Sequence, residues 1–185
     1  MAYSYITKQA LAHSLKVLLE QSPFSKISVS DICKQCGMNR KSFYYHFQDK
    51  YDLVNWIFDN GIKEFTGRED LWEKEISWEQ VKTLCQYIYD NRSFYSKLVL
   101  IDGQNSFLEH LREVLEPGVR KFLGQMVPEE QNLDFYINYF TDSFLAALIR
   151  WVLENDTMEP EQFVTYLRTS MTLLSSVVEK SLDKK

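Results

Sequence analysis

Apolar residues recur every three or four positions along most of the chain, which is the spacing of an amphipathic helix. The first such stretch begins at Thr7, a candidate helix cap, and aligns four leucines on one face before Ser22-Pro23 ends it. We expect further helices over residues 28–36, 40–47, 50–67, 78–91, 94–100, 107–123, 133–155 and 161–182. No stretch reads as a strand, and the chain has only six glycines and four prolines. The pattern therefore predicts an all-α protein.

Two short predicted helices near the N-terminus are joined by a tight turn. Ser28 and Asp31 have the spacing of a capping box, which opens the first of these helices. Gly37 suits the left-handed conformation that ends it, and Asn39 can cap the next helix, over residues 40–47. Two short helices that follow a longer first helix in this way are the layout of a DNA-binding helix-turn-helix.

The third predicted helix has one apolar face and one polar face. At 100° per residue, Phe43 and Phe47 lie together and can anchor the helix to a core. Lys41 and Tyr45 then point the opposite way, where amines and phenols can bond phosphate oxygens and base edges in a major groove. The alternative is that the aromatic run at 44–46 belongs to an ordinary packing cluster.

Residues 28–53 also carry a specific combination of residues. An isoleucine with a small neighbour is followed by a glycine, then by aromatic-Tyr-Tyr-His-Phe, then by a lysine before the fourth helix. Here these are Ile32-Cys33, Gly37, Phe43–Phe47 and Lys50. The segment resembles the helix-turn-helix of the TetR family of bacterial transcription regulators, and the resemblance covers roughly residues 7–60.

The resemblance implies DNA contacts at ten positions. Two at the start of the second helix lie against phosphates, and four at the start of the third reach base edges or nearby phosphates. A trio later in that helix touches backbone and bases, and a lysine approaches phosphate from the fourth helix. In order, these residues are Ser28, Val29, Asn39, Arg40, Lys41, Ser42, Tyr44, Tyr45, His46 and Lys50. The family often has a small residue where Lys41 stands, so a known operator sequence cannot be transferred to this chain.

The helix pattern and the resemblance together predict two domains. Residues 1–49 form a three-helix DNA-binding domain, and a fourth helix over 50–67 connects it to the rest. Residues 50–185 form a helical domain for ligand binding and dimerisation. The implied function is a ligand- or partner-responsive repressor that binds a palindromic operator in double-stranded DNA as a homodimer.

A second similarity concerns residues 91–95 and 103–107. These segments are similar to a subgroup of the family that includes regulators of dihydroxyacetone kinase operons. That subgroup contains an activator that works with a protein coactivator. An activator with such a partner is therefore the alternative to a repressor with a small-molecule effector.

The last two predicted helices are apolar on more than one face. A helix that is apolar all round has to be buried on several sides, and a partner chain could cover what one chain leaves exposed. The alternative is a purely intramolecular core. We expect the following residues at a homodimer interface: Phe144, Ala147, Leu148, Trp151, Leu167, Met171, Leu174 and Val178.

Aromatic residues in the C-terminal part are candidates for the lining of an effector pocket, with one arginine as a polar anchor. Core packing explains the same aromatic residues equally well, so both interpretations stay open. The candidate residues are Tyr87, Phe94, Tyr95, Phe107, Tyr136, Tyr139, Phe140 and Arg150.

Charge and composition narrow the class of protein. Residues 1–60 hold seven basic and five acidic residues, whereas the remainder holds fourteen and twenty-one. A mildly basic first third on an acidic body indicates a polyanion site in the N-terminal part. The chain has no apolar run long enough for a membrane span and no export signal, and it has three cysteines, an odd number. We expect a cytoplasmic protein without a membrane partner.

Two other classes of function find less support in the residues. Cys33 and Cys36 have zinc-like spacing, but no second Cys/His pair follows at a suitable separation, so a packing role is expected. No catalytic triad spacing and no nucleotide-binding fingerprint is present, which predicts a protein that is not an enzyme and needs no cofactor or metal. A helical interaction module with a degenerate DNA-binding motif remains an alternative.

Overall fold

Helices make up most of the computed structural model. It describes residues 2–68, 71–72, 77–101, 106–124, 127, 132–154 and 158–182. No strand occurs among these residues, which confirms the predicted all-α fold class. The helices are α1 (Ala2–Gln21), α2 (Val29–Gln35), α3 (Arg40–Tyr44), α4 (Lys50–Thr66), α5 (Trp78–Asp90), α6 (Arg92–Tyr95), α7 (Phe107–Leu123), α8 (Leu133–Leu153) and α9 (Pro160–Leu182).

The chain packs as two compact units, and the first comprises Met1–Glu69 and Arg92–Val114. Within it α1 packs against α2 and α4, and α2 packs against α3. The rings of Tyr95 and Phe107 stack with centroids 4.9 Å apart, and both meet the edge of the Phe58 ring. The core of this unit consists of side chains that are fully or almost fully buried, among them Leu11, Leu15, Phe24, Ile32, Phe43, Leu53, Phe58, Tyr95 and Leu111.

The second unit comprises Asp70–Asn91 and Leu115–Lys185, and α5 packs against α9 within it. An aromatic stack joins three of its helices. The Trp151 ring lies parallel to Phe163, with centroids 4.3 Å apart, and it also stacks on Tyr89 at 5.7 Å. The Trp151 indole N–H donates to the carbonyl of Met158 at 2.8 Å, so its polar atom is satisfied although the residue is buried.

The units divide the chain differently from the predicted boundary at residues 49 and 50. The fourth helix packs with the first unit because Leu53, Val54 and Phe58 bury its apolar side there. Residues 92–114 join the same unit because Tyr95 and Phe107 complete its core.

Several helix boundaries also differ from the expectation. Thr7 does not cap α1, because the helix begins at Ala2 and the Thr7 hydroxyl donates to the carbonyl of Tyr3 inside it. The short helix α6 starts at Arg92 and ends at Tyr95, earlier than the predicted 94–100. The third helix, α3, ends at Tyr44, three residues before the predicted end at residue 47.

Candidate nucleic-acid interface

Two buried phenylalanines determine which face of α3 meets solvent. Phe43 is fully buried and Phe47 is 3% exposed, and their ring centroids lie 5.7 Å apart. Tyr45 on the opposite face is 83% exposed, and Tyr44 is half exposed. Lys41 is exposed as well. The helix is shorter than the predicted 40–47, so Tyr45 and Phe47 lie in the segment that directly follows it. The predicted division into an anchoring face and an open face is confirmed for α3 together with this segment, and the aromatic run at 44–46 is not an internal packing cluster.

The turn before α3 depends on one glycine. Gly37 has φ of +67°, in the left-handed region that side chains with a Cβ rarely adopt. The amide of Met38 reaches back to the carbonyl of Cys33 at 2.9 Å and closes the end of α2. This conformation turns the chain sharply, so α3 starts only five residues after α2 ends.

Side-chain caps begin both helices of the motif. The Ser28 hydroxyl accepts from the amide of Asp31, whose carboxylate accepts from the Ser28 amide at 2.9 Å and from its hydroxyl. These hydrogen bonds lower the pKa of Asp31. At α3 the side-chain oxygen Oδ1 of Asn39 accepts from the amide of Ser42 at 2.9 Å and from its hydroxyl at 3.2 Å. Three of the predicted DNA-contact residues, Ser28, Asn39 and Ser42, therefore also hold the helix starts in place.

Lys50 occupies a different environment from the one expected. Its ammonium donates to the carbonyls of Phe24 and Ile27, at 2.7 and 2.8 Å, and lies 4.3 Å from the centroid of the Phe24 ring. Burial lowers the pKa of Lys50. The phosphate contact predicted for this lysine is not what the structure shows, because the ammonium ties α4 to the single-turn 3-10 helix at Phe24–Lys26 that precedes α2.

His46 and Lys8 form a further part of this surface. The Lys8 ammonium lies 5.4 Å from the centroid of the Phe47 ring and 5.5 Å from that of Trp56. Burial lowers the pKa of the half-buried His46, and the nearby charge of Lys8 lowers it further. A neutral His46 presents one ring N–H donor at neutral pH. Sequence reasoning missed Lys8, because no local pattern pairs residues so far apart in the chain.

The two cysteines of the motif differ in exposure. Cys33 is buried, and burial raises the pKa of its thiol. Cys36 is partly exposed, and its thiol donates to the carbonyl of Ile32 at 3.4 Å. No group of three or more potential metal ligands occurs in the part of the chain that the structure describes.

Comparisons with known proteins identify this arrangement. Residues 8–57 match the family model described as bacterial regulatory proteins, tetR family, and residues 77–173 match the one described as transcriptional regulator C-terminal region. The chain belongs to the TetR family of transcription regulators. It is therefore a regulator with a helix-turn-helix rather than an enzyme.

Individual members of the TetR family are similar over most of the chain. The HTH-type dhaKLM operon transcriptional activator DhaS of Lactococcus lactis is 32% identical over 149 residues, which cover 79% of this chain and 74% of DhaS. A solved TetR transcriptional regulator from Streptococcus agalactiae has a TM-score of 0.69 at 22% identity, covering 91% of this chain and 95% of that one. The solved dihydroxyacetone kinase operon activator DhaS has a TM-score of 0.61 at 23% identity, covering 91% and 98%.

The eight predicted effector-pocket residues are divided between the two units. Phe94, Tyr95 and Phe107 belong to the first unit and are buried in ring-to-ring contacts, whereas the other five belong to the second unit. Within the second unit Tyr87 is buried and Tyr139 is 54% exposed. The aromatic residues of the first unit are core residues, as the alternative interpretation held.

The predicted dimer residues separate into three groups. Leu148 and Trp151 are buried within the chain, so their assignment to an interface is wrong: both pack in the intramolecular core. Phe144, Ala147 and Leu167 are half-buried, and Met171 is exposed. The side chains of Leu174 and Val178 lie outside the described residues.

Among the described residues, no helix combines the length and the apolar character that crossing a bilayer requires.

We predict a low midpoint for the protonation of His46. Because the folded pKa lies below the ordinary value of about 6.5, the unfolded chain binds this proton more readily. The stability that the neutral ring contributes is complete above the unfolded pKa and is lost as pH falls towards the folded one. A histidine NMR titration, referenced to the protein in urea, measures the difference. Lys8→Met should move the midpoint part of the way back, and a midpoint at or above the unfolded value would contradict the assignment.

Proposed function

We propose that this TetR-family regulator binds a palindromic operator as a homodimer through the open face of α3 and the start of α2. The observation that carries the proposal is the burial of Phe43 and Phe47 beneath an exposed Tyr45 and Lys41. The family match supports the use of this face for DNA. A short helix whose inner face is anchored in this way can enter a major groove without rearrangement of the core.

The exposed side chains of the motif supply the chemistry that a duplex requires. Arg40 and Lys41 are cations, and Lys26 and Lys34 add two exposed cations on the segments before α3. Tyr45 contributes a phenol and an apolar ring edge, which suit a phosphate oxygen or a thymine methyl. The predicted contacts of Ser28, Val29, Asn39, Ser42, Tyr44 and His46 remain part of the proposal, since all six side chains are at least partly exposed.

A second copy of the chain is the occupant that we propose for the outer face of α8 and α9. A groove of about 450 Å³ runs between these helices, with Ala146 and Ala147 on one wall and Tyr166 and Leu167 on the other. Small residues allow a partner helix to approach closely. The face continues along α8 in Phe135, which is 61% exposed. Two-fold pairing here would cover apolar side chains that the second unit leaves open.

A small apolar cavity in the second unit is the candidate site for an effector. It measures about 100 Å³, and Trp78, Val81, Phe122, Phe144 and Met171 surround it. A space of this size and lining suits a small uncharged molecule. Such a ligand would change operator affinity only by binding one conformation of the regulator better than another.

The sign of regulation has two candidates. The resemblance to the TetR family favours repression, in which the bound dimer blocks transcription. The similarity to DhaS, whose name is that of a transcriptional activator, favours activation. A reporter gene placed behind the selected operator separates the two, because deletion of the regulator raises expression in the first case and lowers it in the second.

Removal of either side chain at the centre of the open face should weaken operator binding. Tyr45→Ala and Lys41→Ala each lose a groove or phosphate contact, and we expect a loss of about 1–3 kcal/mol, roughly 5- to 150-fold. Fluorescence anisotropy on a palindrome selected from random duplexes measures the change. Lys63→Ala, which removes an exposed charge on α4, is the matched control. Unchanged affinity in both interface variants would exclude this face of α3.

A charge in the α8–α9 groove should separate the proposed dimer. Ala146 is exposed in the groove, and Ala146→Glu would place a carboxylate there, one turn from Arg150. Pairing of two copies would have to remove both charges from water, at a cost that the gain from their own ion pair does not offset. Sedimentation velocity should show a monomer with native helix content, and operator affinity should fall because two linked half-sites are no longer bound together. Ser93→Glu, on α6, controls for the added charge. A variant that stays dimeric at micromolar concentration would contradict this interface.

A further inference from the structure

Arg40 and Tyr44 form a pair on the open face of α3. The Arg40 guanidinium donates from Nη2 to the Tyr44 hydroxyl at 3.2 Å, and its Cζ lies 5.6 Å from the centroid of the Tyr44 ring. The two residues are four positions apart, so they lie on the same side of the helix one turn from each other. Both contacts act on one guanidinium, which limits its rotation.

The Tyr44 ring is itself fixed by the core. It meets the buried Phe43 ring edge-on, with centroids 5.6 Å apart and an angle of 81° between the planes. Tyr44 is nevertheless half exposed, so its hydroxyl and one ring face remain available to Arg40. The position of the guanidinium thus follows from the core through two successive ring contacts.

The guanidinium keeps most of its hydrogen-bonding capacity. Of its five N–H groups, one is used by Tyr44, and the electrostatic partners of Arg40 among the described residues are Tyr44 and Cys33, with no carboxylate. A planar fork of N–H donors at a set angle matches the O6 and N7 acceptors of guanine, which lie side by side in the major groove. The same fork also fits a phosphate, but the neighbouring Lys41 is a point charge that can serve the backbone without a set orientation, which leaves the oriented Arg40 for a base edge.

We propose that Arg40, positioned by Tyr44, reads a guanine in each half-site of the operator and is a main determinant of sequence specificity. Arg40 is the first residue of α3, and N-terminal residues of a recognition helix are the ones that reach base edges. Tyr44 is a positioning residue in this pair: it sets the plane of the guanidinium. The inference rests on the proposed use of this face for DNA.

The test uses the full-length protein and duplexes selected from a random library. The wild type should recover a half-site with an invariant guanine, and replacing that guanine by 7-deazaguanine, which lacks the N7 acceptor, should weaken binding roughly 5- to 100-fold. Arg40→Ala should bind both duplexes alike, because it leaves no donor to reach N7, and Tyr44→Phe should lose several-fold of the discrimination because the hydroxyl contact is gone. Arg68→Ala makes the same replacement at an exposed arginine outside α3 and should keep the full discrimination.

Two results would overturn the inference. One is a selected half-site in which no guanine depends on Arg40. The other is an Arg40→Ala variant that discriminates between the two duplexes as the wild type does, which would show that Arg40 does not read the N7 acceptor. In both cases the wild type still binds a specific palindrome. Failure of the wild type to select any sequence would instead contradict the proposed function itself.

Discussion

The burial of Phe43 and Phe47 is the constraint on which the DNA-binding surface depends. Full burial of a phenylalanine side chain contributes about 2–3 kcal/mol to stability, and two such residues one turn apart leave α3 a single way to lie on the core. The helix has only five residues, too few to be stable alone, so packing rather than helix propensity maintains it. The direction of Tyr45 and Lys41 follows from this packing.

The two phenylalanines determine which face of α3 is exposed, whereas polar contacts nearby hold the ends of the helices in place. The caps at Ser28 and Asn39 satisfy amides at the starts of α2 and α3. Lys50 ties the carbonyls before α2 to α4, and so a half-buried charged side chain that the family resemblance assigned to DNA holds two elements of the protein together. A surface whose backbone is held at each end loses little conformational freedom on binding, which favours affinity.

Local patterns predicted the helix-turn-helix well because its determinants are local. A cap, a glycine and two phenylalanines four residues apart each act over a few residues, and the structure places all of them as expected. The second unit was less predictable. Trp151 belongs to an apolar stripe of α8 that suits a partner helix and an internal core equally well. Only its stacking on Phe163 and Tyr89 shows that it packs in the internal core. Likewise, no sequence pattern shows that Tyr95 and Phe107 pack with α4, or that Lys50 points inward.

The most direct test of the central claim is a comparison of aromatic NMR signals with and without a selected palindromic duplex. The account predicts that the ring signals of Tyr45 shift on DNA binding, whereas those of Phe43 and Phe47 stay nearly unchanged beneath the interface. Unchanged Tyr45 signals, or shifts of the two phenylalanine rings as large as those of Tyr45, would show that the duplex binds elsewhere or that α3 leaves its place on the core.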